Sequence, residues 1–171
     1  PLDSPLSNLA AIYLSFLRYA FNAQTGRFRN FMSYDRRWLE ETGSEDSHGR
    51  AVWGLGVTVG LGRDAGEVVF AVDLFHRALD AVEHFTSPRA VAFTIIGIHA
   101  YLSRYSGDSH VRKMRKILSD RLMQQFRDFA TKNWPWCEDI VTYDNARLPQ
   151  ALLLSGQWLP DREMLEMGLC T

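Results

Sequence analysis

The sequence predicts an all-α domain over residues 1–171, built as an array of helical hairpins in two layers. The main evidence is an alternation along the chain between nearly apolar segments and charged amphipathic segments. The apolar segments begin near Arg50, Arg89 and Arg147, and the charged segments begin near Glu67, Ser109 and Asp161. The second observation is that no long run alternates polar and apolar residues as a half-buried strand would.

The alternation predicts layers because a helix that is apolar on all sides has to be buried, and a helix with one charged face can cover it. Repeating that pair gives an inner and an outer layer, with a repeat of about 40 to 60 residues. An irregular helical bundle is the alternative. If the layers exist, segments near 50–61, 89–103 and 146–157 are more buried than those near 67–84 and 110–130.

The N-terminal part predicts one amphipathic helix followed by a short extended segment. Apolar residues recur at a helical spacing of three and four at Leu9, Ile12, Tyr13, Phe16, Leu17 and Ala20. Asn22 and Gly26 end this helix, and residues 27–34 then alternate between polar and apolar. The loop 40–49 is rich in turn and cap residues, and Pro88 marks the start of the second apolar helix.

The composition describes a globular chain without a strong charge preference. With 46% apolar residues and a net charge of -1, it offers no general attraction for nucleic acid or anionic membranes. No segment is long and apolar enough to span a bilayer. The two cysteines, Cys137 and Cys170, fit a reducing, cytoplasmic compartment, and with no zinc spacing or nucleotide fingerprint we expect no metal and no cofactor. Pro1 either follows a removed initiator Met or marks a cut from a longer protein.

Two of the apolar helices have similar starts. Aligning Arg50 with Arg147 sets His48 against Asn145. In a ring of hairpins the inner helices run parallel, so their N-termini gather at one end, where free N–H groups favour hydroxyls and anions. We therefore expect the loops before these two helices to lie on the same side of the domain, with His48 close to Asn145.

The first candidate cluster stands at the start of the first apolar helix. Glu45 and Asp46 are adjacent carboxylates beside His48, and such groups can act as a general acid or base next to a sugar. Helix capping is the alternative, and it is the better interpretation for Asp46 and Ser47. The functional interpretation is stronger for His48 with Arg50, because these bulky polar groups lead directly into an apolar helix.

The second cluster lies in the loop before the third apolar helix. Its aromatic and acidic residues are Trp134, Trp136, Glu138, Asp139, Tyr143 and Asp144. Sugars present apolar faces to aromatic rings and hydroxyls to carboxylates, so this combination suits a sugar ligand. The equally weighted alternative is that the tryptophans anchor a long loop to the core.

A third group of polar residues surrounds Trp38. Asp35 is placed to pair with Arg36 or Arg37, and Glu41 follows closely. The structural interpretation, in which this pairing holds the loop, is favoured over a role in the site.

A resemblance to a known family rests on residues 31–38, 43–53, 134–139 and 143–150. As a set they resemble the helical domain of bacterial glycosyltransferases and glycosyltransferase-associated proteins. That domain is similar to the six-hairpin (α/α) toroids, which include many glycosidases and N-acylglucosamine 2-epimerases. The resemblance implies a partial (α/α)6 toroid and sugar chemistry, without naming a reaction. A full ring needs about twice this length, so we expect a fragment or an incomplete ring.

We expect a sugar site at the N-termini of the inner helices. The candidates for acid or base catalysis are Glu45, Asp46, His48, Glu138, Asp139 and Asp144. The candidates for binding substrate are Arg50, Trp53, Trp136, Tyr143, Asn145 and Arg147.

Three functions remain open, with carbohydrate as the expected partner in the first two. The domain processes glycosides or assists glycosyl transfer, it holds a glycan without catalysis, or it is a helical scaffold that binds protein. At the end of the array we expect Leu152, Leu153 and Trp158 to be partly uncovered, and a homo-oligomer or the missing part of the parent chain to cover them.

Overall fold

The computed structural model describes residues 5–171, so the interpretation of Pro1 lies outside the described part. The helices are α1 Pro5–Ala20, α2 Glu45–Leu61, α3 Ala65–Leu79, α4 Pro88–Arg104, α5 Ser109–Phe129, α6 Arg147–Trp158 and α7 Arg162–Cys170. A short 3-10 helix, Asp80–His84, continues α3, and β1 Phe21–Asn22 pairs antiparallel with β2 Arg27–Phe28. The all-α prediction is confirmed for this range. Over the same range, no helix has the length and apolar character needed to cross a membrane.

Local sequence signals set where most helices begin. The side-chain caps are Ser44 for α2, Asp64 for α3, Ser87 for α4, Asp108 for α5 and Asp161 for α7. Each cap accepts a hydrogen bond from the backbone N–H three residues later, which satisfies one free donor of the first turn. Pro88 stands in the first turn of α4, as predicted, and α6 begins without a side-chain cap.

α2 and α4 lie side by side and run in the same direction. The contacts between them rise together along both helices, in the pairs Gly49–Ala90, Gly56–Gly97 and Gly60–Ala100. A Cβ added at Gly56 would lie 2.1 Å from the carbonyl oxygen of Gly97, and one at Gly60 would lie 2.3 Å from that of Ala100. The two backbones therefore touch, and only glycine fits at these positions of α2.

α4 and α6 also run in the same direction. Arg89, at the start of α4, bonds to Asn145, just before α6. At the other end, the rings of His99 and Trp158 lie 6.0 Å apart. α2, α4 and α6 thus form one layer of parallel helices with α4 in the middle, and their N-termini lie at the same end of the domain.

The charged helices form the second layer and run antiparallel to the first. The defining contacts are His48–Ala78 for α2 with α3, Phe85–Arg121 for α4 with α5, and Pro149–Gly168 for α6 with α7. Each apolar helix therefore forms a hairpin with the charged helix that follows it. This is the pairing that the alternation of apolar and charged segments predicts.

The predicted contrast in burial holds for α4 alone. Twelve of its 17 residues are buried, against seven of 17 in α2 and eight of 21 in α5. The reason is that α4 has a parallel neighbour on each side, whereas α2 and α6 have one such neighbour each. Leu152 of α6, expected to be partly uncovered, is fully buried because α5 and α7 both pack on this helix, while Trp158 is 41% exposed.

The apolar stripe of α1 is mostly at the surface, which corrects the simple interpretation of its periodicity. Leu14 and Ala20 are buried, but Ile12, Tyr13 and Phe16 are half exposed or more. α1 packs along α3 and the loop at Trp38, and nothing within the described residues covers its other side.

Candidate functional site

The three inner helices bring an arginine each to the end where they begin. We call this surface the arginine face and define it by Arg50, Arg89 and Arg147 together with loop residues 138–145. The predicted proximity of the loops before α2 and α6 is confirmed, since the Tyr143 hydroxyl donates to Asp46 at 2.7 Å. The two predicted clusters are therefore parts of one surface.

Arg50 joins the two loops across this surface. Its Nε donates to Asp46 at 2.9 Å and its Nη2 donates to Asp144 at 2.5 Å. The guanidinium also lies 4.2 Å from the centre of the Phe93 ring on α4. Partial burial and the hydrogen bond to Asp46 raise the pKa of Tyr143 above its ordinary value. Both Asp46 and Asp144 are bound to a cation, which differs from the predicted role as free acids or bases.

Arg89 holds the long loop 131–146 onto α4. Its side chain is almost fully buried, and it donates to the Glu138 carboxylate at 2.5 Å, to the Tyr143 carbonyl at 2.5 Å and to the Asn145 side chain at 2.8 Å. Glu138 and Asn145, predicted as catalytic and substrate-binding residues, therefore hold the loop instead. Sequence reasoning did not select Arg89 for the site, although its place at the start of an apolar helix matches Arg50 and Arg147.

Arg147 is the arginine of this face whose guanidinium is not paired with a carboxylate among the described residues. Its guanidinium lies 4.6 Å from the centre of the Trp53 ring and donates to Gln150 at 2.7 Å. The Trp53 ring in turn stacks on Phe93, with centroids 5.7 Å apart. Among the side chains from residue 8 onward, the ion pairs at this end involve Arg50 and Arg89, and none reaches Arg147.

Glu45 connects two inner helices. Its Oε2 accepts hydrogen bonds from the backbone N–H groups of Thr86 and Ser87, at 2.9 and 2.8 Å, where α4 begins. The carboxylate thereby satisfies free donors and complements the positive end of the α4 dipole. This role corrects the prediction that Glu45 is an acid or base facing a substrate.

His48 lies in the core, which corrects its prediction as a catalytic residue. The residue is fully buried between the rings of Phe28 and Phe85. Its Nδ1 accepts the Phe28 N–H at 3.2 Å, so Nε2 carries the proton and donates to the Ala78 carbonyl at 2.9 Å. With both nitrogens in use, the ring ties the strand β2 and helix α3 to α2.

The burial of His48 predicts a loss of stability in mild acid. Burial, with a smaller effect of the nearby Arg27 charge, lowers its pKa from 6.5 to about 4. The unfolded chain takes up the proton below pH 6.5 and the folded chain does so only near pH 4. Stability therefore falls as the pH drops through this window, by about 2 kcal/mol at pH 5 and about 3 kcal/mol at pH 4.

Urea unfolding of the wild type at pH 7 and pH 5 measures this loss. His99 is the control, because burial and the charge of Arg115 lower its pKa too, so it acts in the same direction. The variant His99→Gln should keep most of the loss between pH 7 and pH 5. If the loss disappears in that variant, His99 and not His48 is responsible.

Trp136 does not take the stacking position that the sugar interpretation predicts. Trp136 is 8% exposed, donates from its indole to the Ile140 carbonyl at 3.1 Å, and packs edge-on against Phe126. It anchors the loop to the core, which was the alternative interpretation, and it offers no face to a ligand. Asp139 is exposed in the same loop, and Tyr143, 49% exposed, is the aromatic ring at the surface of the arginine face.

The polar group around Trp38 has the structural role that was favoured. The Arg37 guanidinium pairs with Asp35, and Arg29 donates to Glu41 at 2.7 Å. Both pairs hold the chain between β2 and α2. Neither contributes to the arginine face.

The arginine face thus consists of hydrogen-bond donors, two of whose arginines are held in place by carboxylates. Its polar groups are charged side chains, hydroxyls and the Asn145 amide, and its exposed ring is Tyr143. Within the described residues, no group of three or more His, Cys, Asp or Glu side chains is placed to hold a metal ion. No family model, curated protein or solved structure matches the chain.

Proposed function

We propose that the chain is a carbohydrate-binding domain associated with glycosyl transfer or glycoside processing, and that the arginine face is its sugar surface. The observation that carries this proposal is the convergence of Arg50 and Arg147 from two parallel helices with Asp46, Tyr143 and Asp144. The buried Arg89 holds the loop that carries Tyr143 and Asp144. Guanidinium, carboxylate and phenol groups on one surface match the hydroxyls of a polyol, and an exposed ring matches its apolar face.

Binding is favoured over catalysis within this chain because the acids are already engaged. Glycoside hydrolysis uses two carboxyl groups that flank the bond, one of them protonated. Here Glu45 caps a helix, Glu138 pairs with a buried arginine, and Asp46 and Asp144 pair with Arg50. We infer that any reaction would need groups outside this surface, such as further hairpins of a toroid of which α2 to α7 form one part.

A protein-binding scaffold is the second candidate, and one observation favours it. The outward side of α1 exposes Leu9, Ile12, Tyr13 and Phe16, each at 44% or more. Contiguous apolar side chains at a surface are typical of protein interaction sites.

Titration calorimetry tests the sugar proposal, with ligands first identified on a glycan array. We expect Arg147→Met to weaken glycan binding about tenfold or more, because it removes the charged donor that has no carboxylate partner and leaves an unbranched apolar side chain in its place. The matched control is Arg162→Gln at the start of α7, an exposed arginine at the opposite end of the domain. Equal affinities of the Arg147→Met variant and the wild type would contradict the proposal, as would a folded chain that binds no glycan.

A further inference from the structure

A second polar cleft lies at the opposite end of the domain from the arginine face. It is formed where α5 begins and α6 ends, and it has a volume of about 360 Å³. Four cations line it, at Arg112, Lys113, Arg115 and Lys116, with Trp158 as its aromatic wall. This volume is in the range of small-molecule sites.

Arg115 is the unusual residue of this cleft. It is only 3% exposed, yet its Nε and Nη1 have no hydrogen-bond partner among the described residues. Its guanidinium lies 4.8 Å from the centre of the Trp158 ring. Burying a charge without a partner is strongly unfavourable, so a buried arginine is normally paired with an anion.

The acids near the cleft are already used elsewhere. Asp120 pairs with Lys116, one turn along α5. Asp108 caps α5 and accepts the Tyr101 hydroxyl at 2.9 Å, with His76 3.4 Å away. Neither carboxylate is bound to Arg115, so the charge inside the cleft is positive.

His99 adds a second unpartnered group beside the same wall. Its Nδ1 is buried and has no hydrogen-bond partner among the described residues, and its ring lies edge-on to Trp158. Basic residues also complement the negative end of a helix dipole, and α6 ends here. A dipole interaction alone leaves the Nε and Nη1 donors of Arg115 without an acceptor, since they bond to no α6 carbonyl.

We propose that this cleft binds the phosphate or diphosphate group of a small molecule, with Arg115 and Arg112 as the principal ligands and Trp158 as the wall beside it. A phosphate group is favoured over a single carboxylate because several cations converge and because its oxygens can satisfy more than one guanidinium. This inference is independent of the sugar surface, which lies at the other end of the helices.

Calorimetric titration with sodium pyrophosphate tests the proposal, with sodium chloride at equal ionic strength as the control for screening. We expect saturable binding to the wild type that Arg115→Met weakens about tenfold or more. This variant should remain folded, since it removes an unpaired buried charge and leaves a shorter apolar side chain in its place. Arg112→Gln should also weaken binding, and Arg162→Gln should leave it unchanged.

Two results would overturn the proposal. One is pyrophosphate binding that is absent, non-saturable or unchanged in Arg115→Met. The other is a wild type that forms a dimer which Arg115→Met abolishes in the absence of any anion, because a carboxylate of a second copy would then be the partner of Arg115. Sedimentation velocity of both proteins without pyrophosphate distinguishes these cases.

Discussion

Replacing Gly56 with alanine should lower the free energy of unfolding by about 3 kcal/mol or more, or prevent folding. The added Cβ would lie 2.1 Å from the carbonyl oxygen of Gly97, and this neighbour is backbone of the most buried helix. It cannot move aside as a flexible side chain can. Relief of the overlap requires α2 and α4 to separate along their shared length, which would uncover the core between them. Urea unfolding followed by circular dichroism measures the loss.

Gly54 on the same helix is the matched control. A Cβ at this position meets nothing within 4 Å. Alanine has the higher helix propensity, so Gly54→Ala should raise the free energy of unfolding by about 0.5–1 kcal/mol. If both variants shift stability in the same direction and by the same amount, the close contact between α2 and α4 is contradicted.

The second large effect is expected for Glu138→Gln, at about 3 kcal/mol of lost stability. The change leaves the guanidinium of Arg89 without its carboxylate, and this arginine is only 3% exposed. The loop 131–146 should loosen with it, because the remaining bonds of Arg89 reach only Tyr143 and Asn145, at the C-terminal end of the loop. Urea unfolding measures the stability, and limited proteolysis reports whether the loop is released.

Glu166→Gln makes the same chemical change in an exposed pair. Glu166 accepts from Arg162 at 2.6 Å, with the two side chains 60% and 91% exposed. Solvent screens such a pair, so the loss should be below about 0.5 kcal/mol. Comparable losses in the two variants would show that the burial of Arg89 does not matter.

The alternation of apolar and charged segments predicted the hairpins and their layers because it records which helices have a face in water. It could not predict how many neighbours an apolar helix has. α4 is enclosed on both sides, while α2 and α6 have the same pattern and about the same share of buried residues as α3 and α5. The apolar stripe of α1 did not predict burial for a related reason. An amphipathic pattern does not specify which element, if any, covers the apolar side of the helix.

For the site, the matching starts at Arg50 and Arg147 predicted one shared surface, and the structure brings them there. The roles of individual residues depended on contacts far along the chain. His48 is buried by Phe28 and Ala78, which are 20 and 30 residues away in the chain. Such distant contacts cannot be predicted from the residues next to His48. Glu45 likewise looks like a free acid until the start of α4 is placed beside it.

We propose that a glycan binds at the arginine face, where the parallel inner helices begin. Nitrogen-15 NMR of the wild type during titration with a bound glycan tests it most directly, by following the side-chain N–H signals of arginine and tryptophan. We expect shifts at Nε of Arg50 and Arg147 and at the indole of Trp53, with Trp158 at the far end unchanged. Shifts confined to Trp158 or to the neighbours of α1, with the arginine signals unchanged, would contradict it.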